Sequence, residues 1–84
     1  MTENDIKDTV IAVLTEVAPN IDASAINPRV NFRDQFDFDS MDFLNFGLGL
    51  EKRFGIKIPE TDYPKLSSLS GCVAYLGART GAAA

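Results

Sequence analysis

A serine hydroxyl surrounded by acids is the clearest candidate for chemistry in this chain. The segment from residue 36 to 42 reads Phe36-Asp37-Phe38-Asp39-Ser40-Met41-Asp42. A serine hydroxyl can serve as a nucleophile or as a point of covalent attachment, and an Asp-Ser pair ahead of a helix can also cap its free N–H groups. The surroundings of Ser40 decide between these roles.

Nucleophilic catalysis by Ser40 is the least supported of the three. It requires a nearby base to take the hydroxyl proton, and the chain contains no histidine. The nearest lysines in sequence, Lys52 and Lys57, lie about three or more helical turns further along. We therefore predict no catalytic residue, and in particular no serine hydrolase.

Metal and thiol chemistry are not indicated either. Asp37 and Asp39 could begin a calcium loop, but its fifth position would be Met41 and its sixth is not glycine. The only cysteine, Cys72, cannot form an internal disulfide and is predicted to be a small buried hydrophobic residue. No metal site is therefore expected.

The charges of the chain are unevenly distributed. Residues 1–42 contain nine acids and three bases, whereas residues 43–84 contain three acids and five bases. The acidic half includes Ser40, so its surface repels nucleic-acid phosphates and favours basic protein partners. Nucleic-acid binding is therefore disfavoured.

The length of 84 residues leaves room for one small domain. We expect it to cover residues 1–80, with residues 81–84 as a frayed tail. The N-terminus lacks a basic stretch, and its longest apolar run, residues 10–14, is too short for a signal or a membrane span. With the single cysteine, these features predict a cytoplasmic monomer that binds no membrane.

The first helix is predicted from about residue 3 to 18. Five apolar residues recur at helical spacing on one face: Ile6, Val10, Val13, Leu14 and Val17. Thr2 and Asp5 can cap its start, and Pro19 disfavours helical geometry at the preceding residue. Residues 20–38 show no helical period, but their recurrent apolar side chains predict a long, ordered loop.

A second helix with two apolar stripes is predicted from Ser40 to the terminating Gly55. One stripe contains Phe43, Phe46, Leu50 and Phe54, and the other contains Met41, Leu44 and Leu48. The stripes lie about 130° apart around the helix. Such a helix is either central in a bundle or partly committed to an outside partner. Gly47 and Gly49 weaken it, so packing must hold it.

The rest of the chain predicts an extended connector over residues 56–59 and two further helices. Pro64 is tolerable only in a first turn, so the third helix should be short. The last helix should begin after Ser67 or Ser68, with fraying from Gly77 onward. The predicted fold is all-α: a small four-helix bundle with a long first loop and a short third helix.

An ordered set of residues extends from the serine segment to the last helix. It consists of Phe38-Asp39-Ser40-Met41-Asp42, then Leu44, Leu48 and Phe54, then Ile56-Lys57-Ile58-Pro59-Glu60, and then Ser68-Leu69. In this order and register the set resembles the acyl carrier protein family. The resemblance covers about 45 residues, from the loop before Ser40 through the last helix; the first helix agrees in length and pattern without being diagnostic.

This resemblance implies a carrier, not an enzyme. A phosphopantetheinyl transferase, aided by magnesium, would attach the 4′-phosphopantetheine of coenzyme A to the Ser40 hydroxyl. The arm would carry acyl groups as thioesters to acyl-transfer or condensing enzymes with basic docking patches. The resemblance further implies that acids near the serine meet such patches, and that a bundle interior can shelter an acyl chain. The recognition residues would be Asp37, Asp39, Met41, Asp42 and Glu51. The alternative for Asp42 is a first-turn acid that favours the helix dipole, and the alternative for Met41 is core packing.

Two features of the sequence bear on which pathway and which type of carrier we expect. Glu51 is the only acid further along the serine helix, which points to a specialised fatty-acid, lipid or polyketide-type pathway with dedicated partners. The paired glycines that often precede the serine of peptidyl carriers are absent from this sequence. A peptidyl carrier, or an unmodified helical interaction module in which Asp39-Ser40 is only a cap, remains the alternative.

Overall fold

The computed structural model describes residues 2–80, and all the regular secondary structure in that range is helical. The elements, in chain order, are α1 Glu3–Val17, a first 3₁₀ helix Ala23–Ala25, α2 Phe32–Gln35, α3 Ser40–Phe54, a second 3₁₀ helix Glu60–Leu66 and α4 Leu69–Thr80. The predicted all-α fold is confirmed. The four predicted helices correspond to α1, α3, the second 3₁₀ helix and α4.

Helix α1 begins and ends where its local sequence signals predict. The Asp5 N–H donates to the Thr2 hydroxyl at 3.1 Å, and the Asp5 carboxylate accepts from the Thr2 N–H at 3.1 Å. This reciprocal pair satisfies two N–H groups at the helix start. The helix ends at Val17, one residue before the predicted end.

The long loop contains two short helices that the sequence did not predict. Asp22 caps the first 3₁₀ helix by accepting from the Ser24 N–H at 3.0 Å. Helix α2 has only four residues and is fixed by a hydrogen bond of 2.8 Å from the Phe32 N–H to the Ser67 carbonyl. Both helices are shorter than or close to one helical period, so hydrophobic periodicity could not reveal them. The prediction that the loop is ordered agrees with these contacts.

Two glycines inside α3 permit close approach by neighbouring elements. A Cβ atom at Gly49 would lie 2.7 Å from Cγ1 of Val13 on α1, and one at Gly47 would lie 2.8 Å from the Tyr63 ring. Helix propensity alone disfavours both glycines. The packing made possible by their missing side chains offsets that cost. The helix ends at Gly55, whose φ of 64° lies in the left-handed region.

The C-terminal part follows the prediction except at its end. Ser68 caps α4 by accepting from the Gly71 N–H at 3.1 Å. The predicted fraying from Gly77 is wrong for residues 77–80, which are helical. Arg79 contributes to this extension because Nη2 donates to the Lys57 carbonyl at 2.6 Å. Residues 81–84, predicted to be frayed, lie outside the described part of the chain.

The core lies where α1, α3 and α4 meet and extends under the loop and the second 3₁₀ helix. Its fully buried members are apolar side chains from all these elements: Ile6, Val10, Val13, Leu14, Phe32, Phe46, Leu50, Leu66, Leu69, Cys72 and Leu76. A core contributed by the loop as well as the long helices explains why the loop is fixed. The packed loop can therefore fix the position of Asp39, the residue that precedes α3.

A side-chain cluster fastens the second 3₁₀ helix to α4. The Tyr75 hydroxyl donates to Oδ2 of Asp62 at 2.7 Å and accepts from Nη1 of Arg79 at 2.6 Å. The Arg79 guanidinium also lies 5.5 Å from the centre of the Tyr75 ring. Burial is the main cause that raises the pKa of the Tyr75 hydroxyl above its ordinary value.

We predict that Gly71→Ala destabilises the protein although alanine favours helices. A Cβ at position 71 would lie 2.5 Å from the Lys65 backbone carbonyl oxygen, which cannot rotate away. Such overpacking costs about 1–3 kcal/mol, more than the roughly 1 kcal/mol gained in helix propensity. Urea unfolding measures the difference. Ser70→Ala, an exposed position on the same helix, is the matched control and should be neutral or stabilising. A Gly71→Ala variant as stable as the wild type would contradict the packing argument.

Candidate functional site

Ser40 is the first residue of α3, and its side chain is exposed. The residue that caps the helix is Asp39, whose Oδ1 accepts from the Asp42 N–H at 2.9 Å. Oδ2 of Asp42 in turn accepts from the Asp39 N–H at 3.2 Å. This reciprocal pair does the capping that an Asp-Ser sequence could otherwise assign to the serine. The Ser40 hydroxyl is therefore not needed to start the helix.

The backbone around Ser40 offers positive partial charge. The first backbone hydrogen bond of α3 runs from the Phe43 N–H to the Asp39 carbonyl at 3.0 Å. The N–H groups of Ser40 and Met41 precede it, and they lie at the positive end of the dipole of a 15-residue helix. An anionic group on the Ser40 oxygen would meet these N–H groups.

The carboxylates of the three acids nearest Ser40, Asp37, Asp39 and Asp42, differ in whether they accept hydrogen bonds from the backbone. Asp39 and Asp42 are each committed to a backbone N–H in the capping pair. Asp37 is exposed, and it lines, together with Asp42, a groove of about 470 Å³ whose other lining residues come from the end of α1 and the following loop. A structural role therefore accounts for Asp39 and Asp42 before any partner is considered.

An apolar stripe of Met41, Leu44 and Leu48 faces solvent beside Ser40; we call it the exposed stripe. These side chains are 64%, 38% and 46% exposed, and they are the large exposed hydrophobic side chains of the described chain. The other predicted stripe of α3 faces inward, with Phe46 and Leu50 fully buried. This exposure agrees better with a helix that is partly committed to an outside partner than with a helix that is central in the bundle.

Glu51 has a structural contact that its position in the sequence did not reveal. Its Oε1 accepts from the Ile58 N–H at 2.8 Å and so ties the extended connector back to α3. By helical spacing Glu51 continues the face of Leu44 and Leu48. It is half-buried, so a recognition role would have to share the carboxylate with this hydrogen bond.

Five aromatic rings form a continuous cluster behind the N-terminal end of α3. Edge-to-face contacts join Phe32 to Phe46 at 5.5 Å between ring centres, Phe38 to Phe46 at 6.1 Å, and Phe38 to Phe43 at 6.4 Å. Phe43 in turn contacts Tyr63 of the second 3₁₀ helix at 5.8 Å. The sequence indicated the phenylalanines as core residues but gave no sign of Tyr63, which joins them only in the fold.

An open groove of about 660 Å³ lies on the outer side of this cluster. It is lined by Asn31, Phe32, Arg33, Asp34, Phe38, Phe43, Pro64 and Ser67. Its lining combines three phenylalanines with the exposed charged residues Arg33 and Asp34 of α2. The groove is therefore of mixed polarity.

Cys72 is the buried hydrophobic residue that the sequence predicted. It is fully buried, its thiol donates to the Leu66 carbonyl at 3.3 Å, and burial raises its pKa strongly. A protonated thiol with no exposure is a poor nucleophile. Within residues 2–80 there is also no cluster of metal-binding side chains and no helix long and apolar enough to cross a membrane.

Comparison with known proteins agrees with the geometry of this site. Residues 8–76 match the phosphopantetheine attachment site family. The chain is 34% identical over 76 residues to the acyl carrier protein of Lactobacillus johnsonii, which covers 90% of this chain and 94% of that protein. It is 33% identical over 66 residues to the meromycolate extension acyl carrier protein of Mycobacterium tuberculosis; this match covers 79% of the chain and only 57% of that relative.

A solved structure supports the same assignment. The acyl carrier protein from Enterococcus faecalis superposes with a TM-score of 0.76 at 26% sequence identity. The superposition covers 93% of this chain and 98% of that protein. The family match, the relatives and the fold thus agree: the chain belongs to the acyl carrier protein family, and it is a phosphopantetheine-bearing carrier rather than an enzyme.

Proposed function

We propose that the Ser40 hydroxyl is the point at which 4′-phosphopantetheine is attached, and that the chain presents acyl groups to partner enzymes from there. The observation that carries this proposal is an exposed serine hydroxyl, not used for capping, at the first position of a long helix. The arm supplies a thiol that carries the acyl group as a thioester. The chain itself supplies the anchor and the surface on which enzymes dock.

The local electrostatics favour a phosphodiester on Ser40 in spite of the nearby acids. The free N–H groups of Ser40 and Met41 and the helix dipole attract it. Asp39 and Asp42 repel it, but each carboxylate has one oxygen accepting from a backbone N–H, and solvent and salt screen the rest. Attraction by the N–H groups and the helix dipole therefore outweighs the screened repulsion, so an anion on Ser40 is tolerated.

The exposed stripe and the acids around it are proposed as the docking surface for partners. A phosphopantetheinyl transferase and acyl-transfer or condensing enzymes would approach along α3, with apolar contacts to Met41, Leu44 and Leu48. Their basic patches would meet the acidic end formed by Asp37, Asp39 and Asp42. We propose a cytoplasmic monomer for this role.

The small number of acids along α3 bears on the pathway that this carrier serves. Glu51 is the one acid along α3 beyond its first turn, and part of its carboxylate is engaged by Ile58. Enzymes that require an acidic helix would therefore dock poorly, which supports a specialised fatty-acid, lipid or polyketide-type pathway. The relatives named for meromycolate extension show that carriers of this similarity include specialised ones. Efficient elongation of acyl groups on this carrier by ordinary fatty-acid enzymes would contradict the proposal of a specialised pathway.

Loading of Ser40 is the direct test of the attachment site. Incubation with coenzyme A, magnesium and a broad-specificity phosphopantetheinyl transferase should add the mass of one phosphopantetheine group to the wild type. Ser40→Ala should gain nothing, because no other residue is proposed to accept the group. Ser70→Ala removes another exposed serine and should be loaded like the wild type. Equal loading of Ser40→Ala would refute Ser40 as the attachment site, and no loading of the wild type would favour an unmodified interaction module.

Substitutions in the exposed stripe should weaken docking without unfolding the protein. We expect Met41→Ser and Leu48→Ser each to lower kcat/KM of the transferase for this carrier by about tenfold, the effect of losing one strong apolar contact. Stability should change by about 0.5 kcal/mol or less because both side chains lie on the solvent-facing side of α3 and outside the buried core. Asn45→Ser, an exposed polar position on the same helix, serves as the control. Unchanged kinetics in both stripe variants would exclude this face as the docking surface for the transferase.

Two substitutions of Glu51 should separate its structural contact from recognition. Glu51→Ala leaves the Ile58 N–H without its acceptor and should cost about 1–3 kcal/mol in urea unfolding. Glu51→Gln keeps an acceptor oxygen and should cost less. If the negative charge also serves partners, both variants should lower kcat/KM equally. A glutamine variant with full activity would leave Glu51 with the structural role alone.

A further inference from the structure

Lys52 places a positive charge at the far end of the exposed stripe, the end away from Ser40. It follows Leu48 by four residues, so helical spacing puts the two residues on the same face of α3. Its side chain is exposed, and within residues 2–80 it takes part in no salt bridge. No acid lies three or four residues away from it on either side, so α3 itself offers its ammonium group no partner.

The charged neighbours of Lys52 are engaged in contacts within the fold. Nη2 of Arg53 binds Oε1 of Glu16 on α1 at 2.6 Å. Oε1 of Glu51 accepts from the Ile58 N–H on the connector at 2.8 Å. Of the three consecutive charged side chains near the end of α3, that of Lys52 is therefore the one with no bonding partner in the described part of the chain.

The acidic end and the basic end of this face act separately on a partner. An α-helix rises about 1.5 Å per residue, so Asp42 and Lys52 lie roughly 15 Å apart along the axis of α3. This exceeds the Debye length of about 8 Å at physiological ionic strength, and the two charges therefore do not cancel. Lys57 is also exposed and directly precedes Ile58, which is bonded to Glu51, so it adds to the positive charge at the far end. The docking face is thus acidic near Ser40, apolar along the exposed stripe and basic beyond it.

We propose that Lys52 selects partner enzymes that place an acidic side chain against the far end of the exposed stripe and basic side chains against the end at Ser40. This rests on the proposed function, in which partners dock along α3. An enzyme whose basic residues extend along the whole helix meets Lys52 with like charge, which disfavours its complex. An enzyme with an acid at that place gains an attraction instead.

An enzyme fits this face better than a second copy of the chain does. An antiparallel copy would also match the charges, because each acidic end would meet the partner's basic end. The exposed stripe contains only three large apolar side chains, a small part of the roughly 1,200–2,000 Å² that a specific interface buries. An enzyme gains further binding from the arm on Ser40, whereas a second copy adds only this face.

The first experiment measures the Kd of the loaded carrier for a condensing enzyme of ordinary fatty-acid synthesis whose docking patch is basic. Lys52→Glu should lower the Kd about tenfold at low ionic strength, because a repulsion is replaced by an attraction of similar size. Lys52→Gln should lower it about threefold, and both gains should shrink as salt is added. Lys7→Glu makes the same change of charge at an exposed position of α1 and should leave the Kd within about twofold of the wild type. Equal effects of Lys52→Glu and Lys7→Glu would overturn the proposal.

The second experiment tests the preference for an acid. Single Lys→Glu and Arg→Glu variants of the enzyme's docking patch are measured against the wild-type carrier and against Lys52→Glu. At least one enzyme variant should bind the wild type about tenfold more tightly than the unmodified enzyme does, and should lose that gain against Lys52→Glu. Such coupling identifies the two side chains as neighbours in the complex. Its absence from every variant of the patch would overturn the proposal.

Met41→Ser separates failure of this proposal from failure of the proposed docking face. If Met41→Ser weakens binding and Lys52→Glu does not change it, the docking face stands and the role of Lys52 falls. If neither variant changes the Kd, the docking face itself is wrong. Self-association of the wild type in analytical ultracentrifugation that Lys52→Glu abolishes would also overturn the proposal, because a second copy would then occupy this face. Failure of the wild type to accept the arm would refute the carrier function, and the role of Lys52 with it.

Discussion

The reciprocal hydrogen bonds between Asp39 and Asp42 are the interaction on which the site depends. They satisfy the start of α3 with acidic side chains and leave the serine between them free of any capping duty. A serine that capped its own helix would have its oxygen turned to the backbone. Here the oxygen of Ser40 faces solvent, at the end of a helix whose dipole favours an anion. The carboxylates of Asp39 and Asp42 thus have a structural role at the start of α3.

Helix α3 is held by packing at the expense of intrinsic helix propensity. Gly47 and Gly49 each disfavour the helix by about 1 kcal/mol relative to alanine. In return, Val13 of α1 and the ring of Tyr63 come close to the backbone of α3. Helix α3 is therefore held on two sides, by α1 and by the second 3₁₀ helix. Its position, and with it the position of Ser40, depends on the packing of the core.

Local signals explain which parts of the structure could be predicted from the sequence. Thr2, Pro19 and Gly55 act on their own neighbours, so the ends of the first two long helices followed directly. Helix α2 and the last turn of α4 depend on hydrogen bonds from Phe32 and Arg79 to carbonyls more than twenty residues away in sequence. No local pattern encodes such partners.

The candidate site also contains features that local sequence predicts and features that depend on contacts formed only in the fold. The position of Ser40 at the start of α3 and the apolar stripe beside it followed from spacing along one helix, although the attachment itself stays a prediction. The contact of Glu51 with Ile58 and the placement of Tyr63 against Phe43 did not follow, because each forms only when the chain after α3 turns back. The two faces of α3 thus carry different kinds of information. The exposure of the outward face follows from spacing along one helix, whereas the contacts of the inward face, such as that of Phe43 with Tyr63, form only in the fold. A change in an exposed side chain of α3 therefore need not disturb the rings packed behind it.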